Sequence, residues 1–126
     1  MTAAIISTSE PERLYSGLSV LVSTAVDGED CAALLAFSGL ALFLDPDLPR
    51  LAQEPERAPA IGWGGRETFG RSLGELRDTA LELDNLKLYA CSASVETMAI
   101  EVTRLDGVIS TPRFLRDAAG ERLLFV

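Results

Sequence analysis

The residues best suited to chemistry lie between Leu86 and Ile100, where an alternating apolar pattern changes to a helical one. Alternation over residues 86–91 predicts a half-buried strand. Beyond Cys91, Val95 and Met98 recur at helical spacing. The thiol of Cys91 is therefore expected at the carboxyl end of a strand and beside the start of a helix.

Such a position gives Cys91 a physical reason to react. Unpaired backbone N–H groups and the positive end of a helix dipole favour a thiolate. Ser92 and Ser94 are candidate N-caps of the helix, and either hydroxyl could add a hydrogen bond to the sulfur. A cysteine is also often only a small buried hydrophobe. The residues alone do not decide whether Cys91 is a reactive thiol or a small buried hydrophobic residue.

The chain has two cysteines and no histidine, which excludes Cys-His and Ser-His couples and any His-ligated metal. Sixty positions separate Cys31 from Cys91, and without a CxxC motif we predict no metal site. Cys31 opens a predicted strand at the opposite edge of the sheet. Roughly six residues at about 3.3 Å each then separate the two thiols, which is too far for a disulfide. Cys31 is interpreted as structural.

The composition of the chain excludes several classes of partner and cofactor. A net charge of −8 without a Lys/Arg cluster argues against nucleic acid. The start of the chain lacks the charged region of an export signal, and no stretch of about eighteen apolar residues predicts a membrane span. No GxGxxG or P-loop is present, so no nucleotide cofactor is expected. These features predict a cytoplasmic location.

Five short apolar runs read as strands buried in a parallel sheet: residues 3–6, 31–37, 86–91, 107–110 and 121–126. The segment between the first two begins with a capping-box pattern in which Ser9 is the N-cap, and it ends at Gly28. This pattern favours a helix, although residues 18–23 could alternatively form a strand. Further helices are predicted at 40–44, at 66–83 and from Thr111-Pro112 to Gly120.

Residues 46–65 contain four of the six prolines and three glycines, which predicts a loop. Trp63 lies within this segment. We interpret it as a loop anchor that packs onto the core.

The predicted order of elements is α/β, with one domain over residues 1–126. Ligands of open parallel sheets gather where the strands end. The hydroxyl and glycine residues expected there are candidate binding residues together with Ser92 and Ser94: Ser7, Thr8, Ser38 and Gly39. Ser110 and Thr111 follow the fourth strand. Helix capping is the simplest interpretation of most of these hydroxyls.

The Tyr-Ala-Cys-Ser segment at residues 89–92, the Met-containing helix after it, and the Asp106-Gly-Val turn resemble the DsrE/DsrF-like family. The passage from Leu34 to Leu40 is similar too. The resemblance implies a three-layer α/β/α sandwich on a five-stranded, mostly parallel sheet that assembles into homotrimers or hexamers. It also implies that Cys91 matches the cysteine that carries a persulfide in sulfur-relay members. Glu96 and Ala99 replace the Met and Gly common in relatives, and the 46–65 loop is longer.

Three functions follow as hypotheses. The first is a sulfur carrier in which Cys91 receives a persulfide sulfur from a donor protein and passes it to an acceptor thiol, without a cofactor or metal. The second is a non-catalytic oligomeric binding or interaction module that keeps the fold. The third is a thiol peroxidase, disfavoured because no arginine or threonine lies near Cys91 in the sequence. A high apolar content for a short chain also predicts a homo-oligomer.

Overall fold

Five short apolar segments form a single sheet in a computed structural model that describes residues 1–126. The strands are β1 (Thr2–Ile6), β2 (Cys31–Leu35), β3 (Leu86–Cys91), β4 (Gly107–Ile109) and β5 (Arg122–Phe125). Every pair is parallel, and the order across the sheet is β4-β3-β2-β1-β5. All five predicted strands are confirmed. The second ends before the predicted residue 37 because the chain turns sharply at Phe37.

The helices lie between these strands: α1 (Pro11–Val26), α2 (Phe37–Leu44), α3 (Leu48–Leu51), α4 (Arg66–Glu82), α5 (Ser92–Met98) and α6 (Thr111–Asp117). A short 3₁₀ turn, Trp63–Gly65, precedes α4. Residues 18–23 lie inside α1, so the helix prediction is confirmed over the strand alternative.

The sheet is covered on both faces, which confirms the three-layer α/β/α sandwich. Helices α1 and α4 bury the larger core, which includes Leu14, Leu18 and Leu73. The chain crosses from β1 to β4 in one direction, and then α6 returns over the full width of the sheet to β5. Right-handed crossovers place this return on the other face. There α6 contributes Phe114 and Ala118 to a smaller cluster.

Two helix starts differ from prediction by one residue. Ser9 is not the N-cap of α1. Glu10 occupies that position without a side-chain cap, and its own N–H donates a hydrogen bond to the Thr8 hydroxyl at 3.0 Å. At α6 the cap is Ser110, whose hydroxyl accepts from the Arg113 N–H at 3.3 Å. Thr111 is therefore the first residue of the helix rather than its cap.

The prediction that Trp63 packs onto the core is wrong, because its side chain is 87% exposed. Its chain neighbours, Gly62 and Gly64, contribute no side chains that could cover the indole. Arg77 of α4, a buried residue, holds the end of α2 just before this loop, because it donates hydrogen bonds to the carbonyls of Phe43 and Asp45. None of the helices has the length and apolar character required to cross a membrane.

Candidate functional site

The carboxyl ends of all five strands share one edge of the sheet because the strands are parallel. Strands β3, β2 and β1 are neighbours, so the segments that follow them lie side by side. The structure therefore brings the predicted site residues to the same edge: Ser7, Thr8, Ser38, Gly39, Cys91, Ser92 and Ser94. Strand β4 lies beside β3 and adds Thr111 to this edge.

Cys91 is the last residue of β3 and the N-cap of α5, with extended backbone angles. Its side chain faces the α6 layer, in the cluster that contains Phe114, and is only 3% exposed. The Sγ atom lies 3.7 Å from the Thr111 Oγ1. The site is thus a buried thiol covered by the first turn of α6.

Opposing effects act on the pKa of Cys91, and their net result is a pKa below the ordinary value of 9.0. Burial is the largest single effect, and it raises the pKa because it penalises the thiolate. Hydrogen bonds from the Ser94 hydroxyl, the Thr111 hydroxyl and the backbone N–H groups of Ala93 and Ser94 lower it. Together these donors outweigh burial, so the pKa of Cys91 lies below the ordinary value.

Ser94 is the most deeply enclosed hydroxyl at the site, with no exposed surface. Its Oγ accepts a hydrogen bond of 2.8 Å from the backbone N–H of Phe37, which lies 57 residues away in the chain. The capping predictions for Ser92 and Ser94 are wrong, since Cys91 itself is the N-cap. Ser92 is half-buried as the first residue of α5, and its side chain makes no hydrogen bond.

Phe37 has a backbone conformation that sequence reasoning did not anticipate. Its φ of 45° lies in the left-handed region, which costs a bulky residue of order 1–3 kcal/mol. Its ring is 46% exposed, so burial of the side chain does not account for this conformation. No sequence signal marks the position, because glycine would be the usual residue there.

Thr111 is the other residue whose role sequence analysis missed. The sequence places Thr111 directly after the fourth strand, where helix capping is the simplest interpretation of its hydroxyl. Pairing of Cys91 with Ile109 across β3 and β4 brings it over the sulfur. It supplies the threonine that the peroxidase hypothesis lacked, but the hydrogen bonds to Cys91 include none from an arginine.

The remaining predicted residues have local roles at the edge. Ser7 is exposed, and its backbone N–H bonds the Val126 carbonyl at 2.8 Å. Ser38 is exposed and lines a depression of about 210 Å³ with Ser9 and Met98. Gly39 is required for close approach: a Cβ there would lie 2.3 Å from the Ile6 carbonyl oxygen.

Cys31 lies at the amino end of β2, where it pairs with Leu86, five residues before Cys91 along β3. Its side chain belongs to the core on the α1 and α4 side, so the two cysteines occupy opposite faces as well as opposite ends. Both are free. Burial, followed by the negative charge of Glu29, raises the pKa of Cys31.

A separate groove of about 330 Å³ lies on the α6 side of the sheet. Tyr89, Ile109 and Phe114 provide apolar walls, and exposed carboxylates line it as well: Asp30, Asp84 and Asp117. No group of three or more His, Cys, Asp or Glu side chains is arranged to bind a metal ion.

Comparison of the chain with protein-family models gives no match, and comparison with curated proteins gives none either.

Proposed function

We propose that this chain is a small DsrE-like sulfur-relay protein that carries a persulfide on Cys91. The observation that supports this function is the set of hydrogen-bond donors around Sγ, which lowers the pKa of a buried thiol despite the opposing effect of burial. A thiolate is the nucleophile in sulfur exchange, and a chain without histidine needs another way to stabilise it. The resemblance of residues 86–109 to the DsrE/DsrF-like family points to the same cysteine.

The proposed transfer is redox-neutral. The Cys91 thiolate attacks the outer sulfur of a donor persulfide, so that a new S–S bond forms and the donor leaves as a thiolate. An acceptor thiolate then attacks the outer sulfur on Cys91, and the Cys91 thiolate is released. Ser94 and Thr111 stabilise negative charge on Sγ before the first step and after the second. No oxidant, metal or cofactor takes part.

In this proposal, partner proteins approach Sγ from the carboxyl edge of the sheet. Cys91 is nearly buried, but its neighbours Phe37 and Ala93 are exposed at that edge. Donor and acceptor therefore dock beside the β2–α2 turn and the first turn of α5. The proposed location is the cytoplasm, where thiols are kept reduced.

A homotrimer or hexamer completes the proposal. One face of the five-stranded sheet is covered by α6 alone, a helix of seven residues. Large apolar side chains remain exposed on both outer strands of the sheet: Phe125 of β5 is 73% exposed and Val108 of β4 is 47% exposed. Light scattering at micromolar concentration tests the assembly, and a monomeric mass would contradict it.

The carrier function is tested by intact mass after incubation with glutathione persulfide. We expect a gain of one sulfur atom that dithiothreitol removes, and no gain in Cys91→Ser. Cys31→Ser is the matched control, because it removes the other buried cysteine and should keep the gain. Absence of added sulfur on the wild-type chain would contradict the carrier function.

A binding or interaction module is the second candidate, favoured by the groove of about 330 Å³ that lies apart from Cys91. Its apolar walls with a few polar groups are typical of small-molecule sites. Unaltered mass with the persulfide donor, combined with thermal stabilisation by a small molecule that Phe114→Ala abolishes, would favour this function over the carrier.

A further inference from the structure

We propose that the groove on the α6 side of the sheet binds a small organic amine: a molecule with one ammonium group on an apolar body. The groove starts at the amino ends of β2 and β3, where Cys31 pairs with Leu86, and Cys91 does not line it. The inference is independent of sulfur relay. It gives a ligand class to the binding module, the second candidate function.

The body of the groove is apolar. The sheet contributes Ala32 of β2, Tyr89 of β3 and Ile109 of β4, and α6 contributes Phe114 and Ala118. The groove is open because α6 has only seven residues and covers part of this face of the sheet. Its volume of about 330 Å³ lies at the lower end of the range for ligand sites, about 300–1,000 Å³. The apolar part of a small ligand would leave water here.

Three exposed carboxylates line the same groove from three different elements. Asp30 and Asp84 lie just before the neighbouring strands β2 and β3, and Asp117 is the last residue of α6. Neither Asp30 nor Asp84 forms an ion pair. The contact of Asp117 with Arg113, at 3.8 Å, joins two exposed side chains and is therefore weak. Carboxylates gathered in this way repel one another, and a cation among them would relieve the repulsion.

The groove has few groups that could hold an anion. Lys87 supplies one ammonium group against the three carboxylates. Met1 also lines the groove, but its amino group is paired with Glu121 at 2.8 Å. The amide nitrogen of Asn85 already donates to two backbone carbonyls, at 2.8 and 3.1 Å, so the group that Asn85 has left to offer is its oxygen. Acceptors and negative charge therefore predominate.

These two properties together select the ligand. An ammonium group carries three hydrogen-bond donors and no acceptor, so it complements the carboxylates. A hydrocarbon or aromatic group attached to it complements the walls. An alcohol of the same shape would gain only the apolar contacts, and a carboxylic acid would meet like charge.

The test is a titration of the protein with three matched probes, followed by its amide resonances. Phenethylamine, 2-phenylethanol and 3-phenylpropionate share a phenyl ring on a two-carbon chain and differ in the charge of the end group. We expect phenethylamine to bind about tenfold more tightly than the alcohol, since three exposed carboxylates contribute about twofold each. The propionate should bind least. The amides of Tyr89, Ile109 and Ala118 should shift.

Charge-neutralising variants locate the ammonium group. The triple variant Asp30→Asn/Asp84→Asn/Asp117→Asn keeps the shape of the side chains and should weaken phenethylamine binding to the level of 2-phenylethanol. Binding of the alcohol should not change. Glu96→Gln is the matched control, because it removes an exposed carboxylate on α5 that does not line the groove.

A substitution at Lys87 gives the opposite expectation. Its ammonium group competes with that of the ligand for the same carboxylates. Lys87→Met should therefore tighten phenethylamine binding by about twofold and leave 2-phenylethanol binding unchanged. Added salt should weaken binding of the amine and not of the alcohol, because it screens exposed charges.

Equal affinities for the amine and the alcohol would overturn the inference, as would the absence of binding by any probe at millimolar concentration. Tightest binding of 3-phenylpropionate would assign the groove to an anion held by Lys87. Amine binding that survives in the triple variant would place the ammonium group elsewhere. The mass assay with glutathione persulfide remains a separate test of sulfur relay, because none of the substituted residues belongs to the cluster around Cys91.

Discussion

Cys91 and Cys31 are buried to nearly the same degree, with 3% and 2% of their surfaces exposed, yet their pKa values move in opposite directions. Burial raises both. At Cys91 the surrounding polar atoms are donors, supplied by Ser94, Thr111 and the first turn of α5. At Cys31 the sulfur meets the Glu29 carbonyl at 3.6 Å, and the Glu29 carboxylate adds negative charge.

The difference follows from strand direction. A strand that runs into a helix presents N–H groups where it ends, since the first turn of a helix has no internal acceptors for them. Cys31 starts a strand and follows Glu29 and Asp30, so acidic groups and a carbonyl surround it. In one parallel sheet, the pKa of the same residue type is therefore lowered at one end of the strands and raised at the other.

The largest expected effect is on labelling by a limiting amount of maleimide at neutral pH. Cys91→Ser should abolish labelling of the folded protein, and Cys31→Ser should leave it nearly unchanged, because the reaction follows the thiolate fraction. Liquid chromatography with mass detection locates the label. Equal labelling of the two single variants, or labelling of Cys91 only after denaturation, would contradict the prediction that Cys91 is the more reactive thiol.

Gly39→Ala should destabilise the protein by about 2 kcal/mol, because the added Cβ would lie 2.3 Å from the Ile6 carbonyl oxygen. Urea unfolding followed by circular dichroism measures the loss. Gly62→Ala is the matched control, since a Cβ there meets nothing within 4 Å and φ is −70°.

The same Gly39→Ala variant should slow alkylation of Cys91 while the reactivity of Cys31 stays constant. The contact lies at the carboxyl edge and disturbs the turn that carries Phe37. A parallel change at both cysteines would indicate general loosening of the fold instead.

The pH dependence of stability should separate the two cysteines between about pH 7 and about pH 10. The raised pKa of Cys31 gives a contribution that is complete below its unfolded value and is lost as the pH rises through its folded value. The lowered pKa of Cys91 gives a contribution that is present above its unfolded value and is lost as the pH falls through its folded value.

Cys31→Ala should therefore reduce the alkaline loss of stability, and Cys91→Ala should increase it. Urea midpoints across this range measure both slopes. Identical slopes in the two variants would show that the directions inferred for the two thiols do not govern alkaline unfolding.

The smallest expected effect is at Thr111. Thr111→Val keeps the shape and removes the hydroxyl at 3.7 Å from Sγ, a long contact, so alkylation of Cys91 at neutral pH should fall by about twofold. Thr111→Ser retains the hydroxyl and should preserve the rate. If the alkylation rate fell further in Thr111→Ser than in Thr111→Val, the effect would come from packing of the threonine methyl group instead of from the hydroxyl.

Local patterns predicted the sheet because each strand is a short apolar run bounded by turn residues, as in residues 31–35 and 86–91. They also predicted the position of Cys91 at a strand end. What they missed is tertiary: the Ser94 contact with Phe37 spans 57 residues and depends on the pairing of β2 with β3. Thr111 reaches Cys91 only through the pairing of β4 with β3.

The prediction for Trp63 is wrong for a different reason. A large aromatic residue in a loop usually packs onto the core, but that expectation depends on neighbours that enclose it. The flanking glycines at 62 and 64 supply no side chains, and the indole remains in solvent.

The exposure of Trp63 has a spectroscopic consequence. It is the only tryptophan, and its indole already meets water in the folded chain, so its emission should lie at the wavelength of the free amino acid and shift little on unfolding. Fluorescence is consequently a poor monitor of stability for this protein. The same property makes Trp63 a built-in reporter of contact at the 46–65 loop, since any molecule that covers the indole would move its emission to shorter wavelength.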